Sequence, residues 1–164
     1  LEARSSHVGP ANNQEVPMPE IKKILCAVDF SEASSLVAEY ANMLAKAMEA
    51  DVVVIYAAPS LSQYVGFHVP PNSIESFVGE IVSGAEKTML EYVQRNFPDT
   101  KAEGKVVTGD AAEEILRMAE ESDVDIIVMG THGRKGIDRI LFGSVAENVV
   151  KNATLPVLTV RPKQ

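Results

Sequence analysis

From residue 20 onward the chain alternates two kinds of hydrophobic pattern. Short, nearly unbroken apolar runs recur at Lys23–Asp29, Asp51–Ala57, Lys105–Thr108, Asp125–Met129 and Pro156–Val160. Bounded by polar and turn residues and rich in β-branched side chains, such runs predict strands, the first of them buried on both faces. Between them the apolar residues return at helical spacing. Leu36, Val37, Tyr40, Ala41, Leu44, Ala45 and Met48 predict an amphipathic helix over 33–49, with Ser31 as its N-cap. Ile74, Phe77, Val78, Ile81, Val82, Ala85, Met89, Tyr92 and Val93 predict a long second helix, closed by Phe97-Pro98. Asp110 and Glu113 have the spacing of a capping box ahead of Ile115, Leu116 and Ala119, and a fourth helix runs to about Asn152. The order βαβαβαβαβ predicts a single-domain α/β fold, an open parallel five-stranded sheet with helices on both faces. Ligands of such sheets bind outside the carboxyl ends of the strands, where the winding reverses. A reversal between the first and fourth strands would bring Asp29 beside Gly130.

Residues 1–19 break the pattern. They have no period, contain Gly9, Pro10, Pro17 and Pro19, and read as a disordered tail or expression remnant, with Met18 as a native start. The domain is expected over 20–164. Within it the stretch 58–73, with Gly66, Phe67 and His68, is expected to be a loop of functional or mobile character.

Composition narrows the partners. A net charge of −8 argues against nucleic acid or an anionic membrane, both of which need a basic footprint. The single cysteine, Cys26, lies in the first apolar run and reads as a small buried hydrophobe. No apolar segment approaches membrane-spanning length and no signal peptide is visible, so the expected location is the cytoplasm.

The candidate chemistry lies between the fourth apolar run and the fourth helix, in Gly130-Thr-His-Gly-Arg-Lys-Gly-Ile-Asp-Arg-Ile-Leu-Phe-Gly-Ser144. A glycine-rich loop opening a helix suits phosphate: glycines permit positive φ and close backbone approach, and a helix start at Gly143-Ser144 offers unpaired N–H groups. Neither the G-x-x-x-x-G-K-[ST] nor the G-x-G-x-x-G pattern occurs here. No Cys-His pair, serine triad or zinc spacing competes.

Gly130, Gly133, Gly143 and Ser144 satisfy G-x2-G-x9-G-[ST], and with Lys22-Lys-Ile-Leu-Cys-Ala-Val-Asp-Phe-Ser31 and Leu155-Pro-Val-Leu-Thr-Val160 the chain resembles the nucleotide-binding universal stress proteins. The resemblance implies a Rossmann-like, adenine nucleotide alpha-hydrolase-like fold that binds ATP and admits Mg²⁺ with the phosphates. It implies that Asp29 makes a polar contact to ribose or base, directly or through water. Ala27 and Ala57 would line the adenine pocket, with Met129 and Val145 as further walls. The Ser144 hydroxyl would bond a phosphate or cap its own helix, and Arg134, Lys135 and Arg139 would add positive charge beside the phosphates. His132 reads as a turn residue without a catalytic role. The resemblance further implies a homodimer through the last strands and a nucleotide-responsive stress or signalling module with an unknown protein partner. Two alternatives stay open: a weak ATPase or autophosphorylating enzyme, for which Asp29 and Asp138 are the nearby acids, and a dimeric interaction module that takes no nucleotide. Neither acid lies in a catalytic motif, so binding is expected over turnover.

Overall fold

A computed structural model describes residues 19–60, 71–132 and 142–161, with the backbone alone for 71–74. The elements are β1 (Lys23–Ala27), α1 (Glu32–Met48), β2 (Asp51–Ala58), α2 (Pro71–Asn96), β3 (Ala102–Thr108), α3 (Ala111–Glu121), β4 (Ile126–Gly130), α4 (Ser144–Asn152) and β5 (Val157–Val160). All neighbouring strands pair in parallel, in the order β3-β2-β1-β4-β5. The winding therefore reverses between β1 and β4, the case in which Asp29 and Gly130 become neighbours.

The two sides of the sheet make two cores. Ile24, Cys26, Val52, Val54 and Val128 face α1 and α2, packing on Val37, Ala38, Ala41, Ala45 and Met89. Leu25, Val53, Ile55 and Ile127 face α3 and α4, packing on Ala112, Ile115, Met118, Ala119, Ala146 and Val149. Alternate residues of one strand thus serve opposite layers, which is why the central strands read as unbroken apolar runs. Cys26 is fully buried, and burial pushes its thiol up to about 12, so it stays protonated and inert.

Several expected boundaries shift for local reasons. The second helix begins at Pro71 instead of near Ile74, because the first helical position needs no N–H donor. The third strand begins at Ala102, three residues before the expected Lys105, and Ala102, Glu103 and Gly104 pair with β2. An edge strand needs no apolar run to be a strand, so hydrophobicity understates its length. The fourth strand starts at Ile126, not Asp125. The Asp125 carboxylate instead accepts the N–H groups of Lys22 (2.7 Å) and Lys23 (2.9 Å), tying the entry of β1 to that of β4. On α1 the buried stripe is narrower than the sequence suggests, since Tyr40 and Met48 are 43% and 48% exposed. The tail 1–18 and the segment 61–70 lie outside the described residues. Among the described residues no helix is long and apolar enough to cross a membrane.

Asp110 caps α3 as expected, its carboxylate accepting the N–H groups of Ala112 (3.0 Å) and Glu113 (3.1 Å). Asp110→Ala is expected to cost about 1 kcal/mol, read as a lower urea midpoint at unchanged slope.

Candidate functional site

At the carboxyl edge of the sheet β1 and β4 are neighbours, with Ala27 in register with Met129. Their chains then leave for opposite layers, β1 towards α1 and β4 towards α4. That divergence opens a cavity of about 520 Å³. The volume falls within the roughly 300–1,000 Å³ of small-molecule sites.

Asp29 stands at the mouth, two residues beyond β1. Its Oδ1 accepts three hydrogen bonds, from the Ser31 N–H (3.0 Å), the Ser31 hydroxyl (2.6 Å) and the Ser34 hydroxyl (2.7 Å). The Ser34 oxygen in turn accepts the Asp29 N–H at 3.1 Å. This corrects one expectation: Ser31 occupies the N-cap of α1, but its side chain makes no cap bond and turns back to Asp29. The tight turn places Phe30 at φ 59°, a left-handed conformation rare for a bulky residue. Its ring is held against Tyr56, at a centroid distance of 4.6 Å, and edge-on to Tyr92 at 5.6 Å. Burial, then the neighbouring Cys26 and Asp29, push the Tyr92 phenol upward, so it acts as a donor; its hydroxyl donates to the Ser34 carbonyl at 2.5 Å.

The opposite wall comes from the glycine-rich segment. Thr131, 5% exposed, donates its N–H to the Val160 carbonyl (3.0 Å), and its own carbonyl accepts the Gly143 N–H (2.7 Å). This pins the start of α4 to the end of β4 and β5. Gly143 is the N-cap of α4, and the N–H groups of Ser144, Val145 and Ala146, all in the cavity wall, have no carbonyl partner within the helix. At Gly130 and Gly143 the expected positive φ is not found. Gly143 has φ −73°, and among the described glycines Gly109 alone has a positive φ. At Gly130 space is tight: a Cβ there would lie 3.2 Å from the His132 carbonyl oxygen and 3.5 Å from Val37.

Ala27, Asp29, Ala57, Met129, Gly130, Gly143, Ser144 and Val145 all line this one cavity, as does His132. Gly133, Arg134, Lys135, Asp138 and Arg139 lie outside the described residues. Sequence reasoning missed Ser34, Tyr56, Thr131, Ala111 and Ile115 in the wall. For Ser34 a signal existed: a serine in the first helical turn, five residues after an acid at a strand end. The others read as routine strand and helix residues. Among the described residues no three His, Cys, Asp or Glu side chains gather as a metal cluster, and Asp29 is the acid of the lining. Apolar walls, a fixed carboxylate and an open helix N-terminus can together hold a flat apolar group, a hydroxyl or amine donor, and an anion.

Comparison with known proteins points to one family. The chain is 37% identical over 146 residues to universal stress protein MJ0531 of Methanocaldococcus jannaschii, covering 87% of this chain and 84% of that one. The solved structure of the MJ0577 protein, a universal stress protein of the same organism, superposes with a TM-score of 0.74 at 30% identity, over 89% of this chain and 99% of that one. A universal stress protein of Archaeoglobus fulgidus, solved in complex with dAMP, shares the fold with a TM-score of 0.55 at 24% identity, over 85% of this chain and 96% of that one. The model of the universal stress protein family matches residues 20–161, the whole of the sheet and its four helices. On its fold, its relatives and that match, the chain belongs to the universal stress protein family.

Proposed function

We propose that the cavity binds ATP and that the chain works as a nucleotide-responsive stress or signalling module with little or no turnover. The observation that carries this reading is the convergence on one cavity of ligand size of Asp29, Ala57, Met129, Gly130 and the start of α4, from separate parts of the chain. In this reading adenine packs between Ala27, Ala57, Met129 and Val145, whose short or apolar side chains leave backbone edges within reach of the base. Asp29 accepts from a ribose hydroxyl or from the base. The phosphates meet the Gly130 and Gly133 backbone, the Ser144 hydroxyl and the open N–H groups of α4, where the helix dipole is positive. Mg²⁺ accompanies the phosphates as their counter-ion. The dAMP complex of the Archaeoglobus protein supports an adenine nucleotide as the class of ligand.

The same reading pairs two copies through β5, an edge strand whose Leu158 is 36% exposed. It places the protein in the cytoplasm. Mass spectrometry of ligand released from freshly purified protein should find an adenine nucleotide, and calorimetry should find saturable ATP binding. A wild-type protein that neither carries nor takes up adenine nucleotide would end the proposal. Phosphate release with Mg²⁺ above an Asp29→Ala control would replace binding by turnover.

A further inference from the structure

We infer that Ser34 and Tyr92 are positioning residues for the ligand site, acting on nucleotide affinity through Asp29; the inference rests on the ATP reading above. Ser34 is 3% exposed, a polar side chain inside the first turn of α1. It grips Asp29 at two points, accepting the backbone N–H and donating to the carboxylate. A serine hydroxyl has one donor and two acceptor sites, so both bonds form at once and leave Asp29 little freedom to rotate. Ser34 is itself fixed from a third element: its carbonyl accepts the Tyr92 hydroxyl of α2, 58 residues away. The Tyr92 ring also packs edge-on against Phe30, the left-handed residue that follows Asp29. A chain of contacts thus runs from α2 through Ser34 to the carboxylate, although no described side chain of α2 itself lines the cavity. A carboxylate held in one orientation binds a hydroxyl or amine without first losing rotamer freedom, so loosening it weakens binding with no ligand contact removed.

Ser34 also lines the cavity, so the test must separate action through Asp29 from direct contact. ATP affinity is measured by calorimetry for wild type, Ser34→Ala, Asp29→Ala and the double variant, together with Tyr92→Phe, which removes one hydroxyl and keeps the ring. Ser34→Ala is expected to weaken ATP about tenfold, the scale of a hydrogen bond to a charged group. In the Asp29→Ala background the same change is expected to matter less than about twofold, because its target is gone. Tyr92→Phe is expected to weaken binding by about threefold and to lose that effect in the same background. An equal loss in both backgrounds, or no loss in either, overturns the inference while leaving ATP binding intact. Absence of ATP binding in the wild type overturns both, and is distinguished by the wild-type titration alone. A purely structural role would lower the melting temperature of the free protein without producing the coupling to Asp29.

Discussion

Gly130→Val is expected to lower ATP affinity by about a hundredfold or more, some 2.7 kcal/mol, while the purified protein remains folded. The cause is local crowding. A Cβ at this position already meets the His132 carbonyl oxygen at 3.2 Å and Val37 at 3.5 Å, and valine adds two methyl groups beyond it, so the backbone beside it is expected to shift. The segment that must move is Thr131-His132, and Thr131 holds Gly143 by its carbonyl and β5 by its N–H. Displacing it is expected to carry the start of α4 away from the end of β4, so that the N–H groups proposed to meet the phosphates lose their alignment with the rest of the cavity. Gly130→Ala should fall between valine and wild type. Gly84→Ala, in open space on α2, is the control expected to leave binding unchanged. Calorimetric titration with ATP checks the series, and near-native affinity for the valine variant would show that close approach at Gly130 is not required.

Leu25→Ala acts on the other side of the balance. Leu25 is fully buried on β1, the central strand, in the layer beneath α3 and α4, and it does not line the cavity. Truncating its isobutyl side chain to a methyl in a close-packed layer is expected to cost about 2–5 kcal/mol, the transfer energy plus the void left behind. That is a large part of the roughly 5–15 kcal/mol by which domains of this kind are stable. Urea unfolding should show a much lower midpoint, while ATP affinity at low temperature stays near that of wild type. A loss below about 1 kcal/mol would mean that the layer collapses around the gap.

These two predictions differ because the site and the core depend on different properties of the same strands. Binary patterning made the core legible. Unbroken runs such as Ile24-Leu-Cys-Ala27 and Val52-Val-Val-Ile55 name central strands because both faces of such a strand meet helices. Hydrophobicity understates the edge strand β3 because it carries exposed residues through most of its length. The candidate site was legible in part, since glycine spacing and the acid at a strand end are local features. Gly130, Gly143 and Asp29 could therefore be named before any contact was known.

Sequence by itself determined the element order, the parallel sheet covered on both faces, the capping of α3 by Asp110 and the family signature, because each rests on spacing along the chain. Tertiary structure decided what spacing does not encode. It placed Asp29 and Gly130 at one reversal of the winding, left little room for a side chain at Gly130 without giving it a positive φ, and turned Ser31 back onto Asp29. It also joined Tyr92 to Ser34 across 58 residues. Hydrogen bonds and steric limits between distant residues exist only once the layers pack, so no periodicity along the chain reports them.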